Sequence, residues 1–351
     1  MTRTTFASSQ SMLIAAVVAA GSVACSDGPT RPSPNPLATQ PQSNVLSIGD
    51  LRRSTPRTPC AAVPHRQFDF WLGEASVSTA GAFDGVNNVT SELDGCLVAE
   101  HWYDVGEVKG WSLNAYDPTT GLWYQHWVDE FGLNLLLSGG LKNGSMVLEG
   151  TRPRLAGGTF FDRVAYTPLP GGHMRQLWET GVNDGPLSVQ FDGFYDPQPG
   201  AEKPPTPGTA SCSGPAYHMV DFLVGTWQVQ APNGLVLGQS TITSELSNCL
   251  LLEQFSTPKG YRAKAFLSWG RAAAQWNRTY IDSEANRIFT TGTVVNGALV
   301  STGTTALDNG QRVMVRMTWR VAGENLEQFW ETSRDGGSTW TPDQKLIYLR
   351  G

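Results

Sequence analysis

The chain carries one domain twice, and this repeat constrains its fold more than any other feature. The stretch from Cys60 to Gly73 aligns without a gap to Cys212–Gly225. Three more blocks follow in the same order at nearly equal spacing: Thr90–Glu100 with Thr243–Glu253, Trp123–Asp129 with Trp276–Asp282, and Gln176–Thr180 with Gln328–Thr332. The 351 residues therefore divide into a first domain over 60–197, a Pro-rich linker over 198–208 and a second domain over 209–351. Each copy must bury its own core within roughly 140 residues, which is enough for an independent domain.

Within the second copy, short apolar/polar alternations are broken by turn residues about every ten positions, the pattern of consecutive antiparallel strands. Ten such runs fall between Thr226 and Leu349, and Asn233-Gly, Asn296-Gly, Asn309-Gly and Ala322-Gly lie between them as hairpin turns. Only 16% of the residues are charged, with 38 Gly and 12 Trp, a composition that argues against helical bundles and coiled coils. The expected architecture is all-β. It consists of two tandem up-and-down antiparallel barrels of about ten strands, each preceded by a short helical or irregular plug such as Met219–Val224. A formal net charge of −6 lacks the basic footprint of a nucleic-acid-binding protein.

The repeat also sorts the five cysteines. Cys60 and Cys96 in one copy match Cys212 and Cys249 in the other, and Cys25 is left over. Ahead of Cys25 lie Arg3, an apolar run over Met12–Ala20 that is too short to span a bilayer, and the small residues Gly21-Ser-Val-Ala24. Residues 1–24 thus read as an export signal, and Ser22-Val-Ala-Cys25 resembles a bacterial lipobox with Ser in place of the usual Leu. Cys25 becomes the expected lipidation site, with cleavage after Ala24 by an ordinary signal peptidase as the alternative. Residues 25–59, rich in Pro, Ser, Thr and Gln, read as a disordered tether from membrane to fold. In an exported, oxidising compartment one disulfide per copy is the natural pairing, Cys60 with Cys96 and Cys212 with Cys249. A zinc site is the rival, without the paired Cys or His spacing that zinc requires.

Phe68-Asp-Phe-Trp-Leu-Gly-Glu74, the repeated Ser-Glu-Leu-x-x-Cys and the repeated Trp-Glu-Thr resemble a family of exported bacterial proteins of unknown function, over nearly all of 60–351. Gly225-Thr-Trp227 is similar to the Gly-x-Trp signature that opens the first strand of calycins, the lipocalin and nitrobindin-like barrels. That resemblance implies a Trp packed across the closed end against an Arg of the last strand, here Arg350. Copy one has Gly73-Glu-Ala75 instead, which implies a differently closed floor. Ser333-Arg-Asp-Gly-Gly-Ser-Thr-Trp340 matches the Asp-box of sialidases and related propellers, a motif that stabilises a hairpin and carries no catalysis.

Barrels of this size either fill with side chains or hold one small ligand. Alternation places Val98, Glu100 and Trp102 on one face, and Leu251, Glu253 and Phe255 on the matching face of copy two. A glutamate between large apolar groups, twice, marks a polar contact inside a mostly apolar pocket, or else a glutamate bonded to a neighbouring strand or an Arg. With the Trp-rich strands this gives the ligand-binding set Glu100, Trp102, Trp123, His126, Trp178, Glu253, Trp276 and Trp330. Calycin-like barrels of the nitrobindin type bind haem through a histidine, which draws attention to His101, His126 and His173, found only in copy one. Haem is the lesser reading, and no other cofactor or metal is expected. The repeated carboxylates Glu92 and Glu245, and Glu179 and Glu331, suit ion pairs better than acid/base catalysis. The first domain holds 7 basic against 17 acidic residues and the second 12 against 11, so the two copies present different fields.

The leading expectation is a non-enzymatic lipoprotein on the cell-envelope side of a bacterial membrane, binding a small apolar or amphipathic ligand in one or both barrels. A structural or protein-interaction module with filled barrels and a carbohydrate-active or haem-dependent enzyme are the alternatives.

Overall fold

The computed structural model describes residues 59–106, 108–204, 212–306 and 311–351. The export signal, most of the tether, Cys25, linker residues 205–208 with the adjoining 209–211, and the Asn309-Gly turn lie outside these described residues. The first ten strands are β1 (Gly73–Thr79), β2 (Ala82–Glu92), β3 (Leu97–Asp104), β4 (Lys109–Asp117), β5 (Leu122–Asp129), β6 (Asn134–Lys142), β7 (Ser145–Pro153), β8 (Thr159–Pro168), β9 (Met174–Val182) and β10 (Ser188–Pro197). Their repeats are β11 (Gly225–Gln230), β12 (Val236–Glu245), β13 (Leu250–Ser256), β14 (Arg262–Gly270), β15 (Gln275–Asp282), β16 (Arg287–Val295), β17 (Ala298–Ala306), β18 (Arg312–Ala322), β19 (Asn325–Ser333) and β20 (Thr341–Arg350). Each set forms a closed antiparallel barrel in sequential order, with β1 closing on β10 and β11 on β20. Closure removes every open sheet edge.

Local chemistry explains the connections. Asn143-Gly144 and Asn296-Gly297 join β6 to β7 and β16 to β17 with both residues at positive φ, which matches the right-handed twist of the flanking strands. The Asp-box ties the β19–β20 hairpin: Thr339 donates its backbone N–H to Asp335 Oδ1 at 2.9 Å and its hydroxyl to Oδ2 at 2.6 Å. These donors hold the Asp335 carboxyl down at about 2.

Both cysteine pairs form disulfides, Cys60–Cys96 and Cys212–Cys249, pinning the segment that enters each barrel to the start of its third strand. Closing loops of 36 and 37 residues in the unfolded chain contributes about 3–4 kcal/mol each on the chain-entropy account. Two disulfides mark an extracytoplasmic protein. The repeated Ser-Glu-Leu-x-x-Cys becomes a left-handed turn before each bonded cysteine, with Leu93 at φ 50° and Leu246 at φ 48°.

Short 3-10 turns precede each barrel, Val63–Arg66 and Asp69–Trp71 in the first, Pro215–His218 and Asp221–Leu223 in the second. The two floors are built differently. In the second barrel the buried Trp227 donates its indole N–H to Leu223 O at 2.9 Å and lies under the Arg350 guanidinium, 4.8 Å from the ring centroid. The first barrel lacks that Trp, and the plug itself supplies the aromatic floor. Phe68 stacks on Trp71 at 4.8 Å, and both contact Tyr166 of β8.

The barrels dock along β3–β6 and β13–β16. Outward-facing Leu97, Ala99, Leu113 and Val128 share one buried core with Leu250, Leu252, Phe266 and Ile281. Leu93 and Leu246 from the two left-handed turns join it, as do all four disulfide cysteines. Because equivalent faces meet, the contact has approximate two-fold character, as in an isologous dimer. Around this apolar patch run cross-barrel ion pairs of Glu92 with Lys264 and of Asp94 with Arg262, while the Arg287 guanidinium lies 3.5 Å over the Tyr124 ring.

Candidate functional site

Inward-facing side chains of the first barrel leave a cavity of 190 Å³, whereas the voids seen among the described residues of the second barrel's interior measure 30 and 10 Å³. One aligned position accounts for much of the contrast. Glu100 on β3 and Glu253 on β13 occupy equivalent inward sites, both under 10% exposed. In the second barrel Arg278 of β15 reaches across and donates from Nη2 to Glu253 Oε2 at 2.7 Å. At the matching place on β5 the first barrel has Gln125, whose amide donates to the Tyr166 hydroxyl at 2.8 Å. Glu100 is left with neutral neighbours: the Ser112 hydroxyl donates to Oε2 at 2.7 Å, and Asn114 in turn donates to Ser112 at 2.9 Å. Burial without a counter-charge pushes the Glu100 carboxyl up to about 8.

Aromatic walls surround this carboxyl. Trp102 of β3 meets Phe191 of β10 edge-on at 5.9 Å, and Trp178 of β9 is fixed by an indole N–H donated to Asp162 Oδ1 at 3.0 Å. The Tyr195 hydroxyl donates to Gln176 Oε1 at 2.5 Å and completes the far wall. Trp127 of β5 lies over Gly110 of β4, where any Cβ would collide with the indole; the equivalent pair in the second barrel is Ala263 with the smaller Tyr280.

Asp84, Asp104 and Asp129 stand at one end, where β2 begins and β3 and β5 finish, and all three line the cavity. Burial and the neighbouring Asp104 raise the Asp84 carboxyl, and burial lifts Asp129 to about 6. Asp129 also shapes its turn, since Oδ1 accepts the backbone N–H groups of Phe131 at 2.9 Å and Leu133 at 3.0 Å; Asp282 does the same with Glu284 and Asn286. Among the described residues no lysine, arginine or histidine lines the cavity. Among the described residues no group of three or more His, Cys, Asp or Glu side chains is placed to hold a metal ion.

The sequence-derived set is therefore split by the structure. Glu100, Trp102 and Trp178 line the cavity. Trp123 does not; it packs at the floor against Phe68 and donates its indole N–H to Gln67 at 3.2 Å. In the second barrel Glu253 and Trp330 border the 30 Å³ void, while Trp276 is core against Trp269.

His126 is a correction. Its position on β5 is outward, and its ring is held between the barrels, Nδ1 2.9 Å from Thr279 Oγ1 and Nε2 at 3.0 Å from Asn134 Oδ1 and 2.9 Å from Ser268 Oγ. Burial lowers its pKa to about 4, so at neutral pH it is an uncharged interface group. It cannot ligate an iron inside the barrel, and with no imidazole lining a cavity of 190 Å³ the residues present do not fit haem. His101 packs edge-on against Trp111 and His173 bonds to Asp196, both away from the cavity.

Three of the four repeated carboxylates serve in ion pairs, Glu92 with Lys264, Glu179 with Arg163 and Glu331 with Arg316. Sequence reasoning missed Gln125, Tyr166, Gln176, Phe191 and Tyr195. The first of these was visible as a Gln-for-Arg exchange inside an otherwise aligned block. A larger cleft of 570 Å³ lies where β6–β8 meet the β14–β15 turn, and its buried acid, Asp162, is already paired with Arg152 at 2.7 Å.

No protein-family profile and no curated protein matches the chain. Two solved structures resemble it at 10% identity. One is a protein of unknown function from the DUF3598 family of Nostoc punctiforme, covering 83% of this chain and 100% of that one with a TM-score of 0.17. The other, described as a "putative outer membrane protein" of Bacteroides fragilis, covers 79% of this chain and 94% of that one with a TM-score of 0.16. At TM-scores this low neither neighbour says what the chain binds or where it resides.

Proposed function

We propose that this is an exported ligand-binding lipoprotein, anchored to the bacterial envelope through Cys25, in which the first barrel is the binding cup and the second a filled scaffold. The single observation that carries the reading is the unequal treatment of one repeated glutamate. Glu253 is neutralised internally by Arg278, whereas Glu100 faces an open, aromatic-walled cavity with no counter-charge. A buried, unpaired carboxyl destabilises the protein that carries it, so keeping one at a cavity wall implies a bound partner that uses it. The ligand is small and amphipathic, because 190 Å³ lies below the 300–1,000 Å³ of drug-sized pockets. Kinship with calycin-like exported barrels is supported by Trp227 under Arg350 at the second barrel's floor.

Native mass spectrometry of the full chain isolated from its own host tests the reading. An added small-molecule mass that disappears on denaturation is expected, as is loss of membrane association and of acyl labelling in Cys25→Ser. A chain that carries no ligand and whose indole fluorescence responds to no small amphiphile would refute the binding cup. Unlabelled wild-type Cys25 would refute the anchor alone.

A further inference from the structure

We infer that the ligand of the first barrel is a small organic cation, an ammonium compound whose charge rests on the Glu100 carboxylate within the aromatic wall. The inference rests on the binding reading above and adds the chemical class.

Three independent observations converge on it. The second barrel shows what the site takes when it supplies its own occupant. Arg278 places a guanidinium on Glu253 at 2.7 Å and over the Tyr280 ring at 5.0 Å, a cation held by one carboxylate and one aromatic face. In the first barrel that arginine is Gln125, and the carboxylate and aromatics remain without the cation. Secondly, the cavity lining includes Glu100, Asp84, Asp104 and Asp129 and no basic side chain, so the field inside attracts positive charge. The whole first domain, with 7 basic against 17 acidic residues, reinforces it. Thirdly, Trp102, Trp127, Trp178 and Phe191 present ring surface suited to an ammonium and its apolar substituents, while among the described residues no acidic cluster has the geometry of a metal site. An organic cation satisfies all three, and a bare metal ion or an anion does not.

Proton linkage follows from the same groups. The other titratable groups lining the cavity with Glu100 are Asp84 of β2, Asp104 of β3, Asp129 of β5, Tyr166 of β8 and Tyr195 of β10, with no base among the described lining residues. With its carboxyl pushed up to about 8, an ammonium must displace a proton to bind at lower pH. Affinity should then rise up to about tenfold per pH unit between about pH 6 and 8 and level off above.

The test titrates the full chain near pH 8 with ethylamine, choline and phenethylamine, and with 2-phenylethanol as the uncharged counterpart of phenethylamine. Binding is read by calorimetry and indole fluorescence. At least one ammonium is expected to bind, and phenethylamine at least about tenfold tighter than 2-phenylethanol. Glu100→Gln should weaken ammonium binding roughly thirtyfold or more. Gln125→Arg, which copies the second barrel, should abolish it while the protein stays folded by circular dichroism, and it carries the same test should Glu100→Gln not fold. If 2-phenylethanol binds as tightly as the amine and both variants leave amine affinity unchanged, the cation inference is overturned while the binding cup stands. If none of the ammonium compounds binds, the inference is likewise overturned, and the host-derived mass spectrum then decides separately whether the cup survives.

Discussion

At the scale of single residues, one exchange between aligned positions separates the two interiors. Gln125 and Arg278 sit at the same point of equivalent strands, and the partner glutamate is paired in one barrel and not in the other. The consequence for stability has a definite sign. A free glutamate titrates near 4.5, and Glu100 in the folded barrel near 8. Between those values the native state holds a proton that the unfolded state has released, so the Glu100 contribution is fully present below about pH 4.5 and is lost as pH rises to about 8. The Glu100→Gln protein lacks this term. Urea denaturation of both proteins at pH 5, 6.5 and 8 should show the variant gaining on the wild type by about 2–5 kcal/mol across the series. A difference that does not change with pH would show that Glu100 titrates as an ordinary surface acid. Most of this pair was legible in the sequence, because alternation placed Glu100 and Glu253 inward. The missing step was comparison of the neighbouring strand, where Gln faces Arg.

At the scale of strands, the barrel was readable because its signals are local. Period-two alternation and turn residues such as Asn296-Gly mark most of the strands, and all ten runs proposed for the second copy lie on β11–β20. Alternation fails where both faces are buried. On β15 every residue from Trp276 to Asp282 is buried, the inner face against the barrel core and the outer against the other barrel, so the sequence gives no contrast by which to orient His126 on the matching strand. The walls from β8–β10 were hidden for another reason: Tyr166, Gln176, Phe191 and Tyr195 converge only through strand register, which depends on closure between β1 and β10. The close approach of Trp127 to Gly110 is likewise a property of paired strands. Gly110→Val places methyl groups where the indole lies, in a strand held on both sides by β3 and β5. The expected outcome is a loss of about 1–3 kcal/mol from overpacking, with altered near-ultraviolet circular dichroism as Trp127 moves into the cavity. An unchanged tryptophan signal with full stability would mean that the wall is loosely packed and no preformed cup exists.

At the scale of the whole molecule, the two copies are joined through a buried core that they share. The described residues of both barrels belong to a single compact unit, and the shared core of Leu97, Leu113, Val128, Leu250, Phe266 and Ile281 is as buried as either barrel's interior. This arrangement assigns different tasks to the two faces of β3–β5, with inward side chains meeting the cavity and outward ones binding the second barrel. His126 belongs wholly to the second task. Its neutral ring bonds the Thr279 hydroxyl through one nitrogen and the Ser268–Asn134 pair through the other, so His126→Leu strands the buried Thr279 hydroxyl, while Ser268 and Asn134 keep their own bond of 2.6 Å, and should cost about 1–3 kcal/mol. The ring's proton affinity gives a second signature. Because the folded imidazole resists protonation down to about 4 while a free one takes a proton near 6.5, its contribution is present above about pH 6.5 and is lost as pH falls towards 4. Calorimetric melting at pH 7 should show one transition for both barrels, lowered in His126→Leu, and the gap to wild type should narrow on going from pH 7 to pH 5. Ligand binding to the first barrel should be untouched, because the ring never reaches the cavity. Loss of binding with stability intact would place His126 at the binding site after all, and two separate melting transitions in the wild type would show that the barrels fold independently of the core between them.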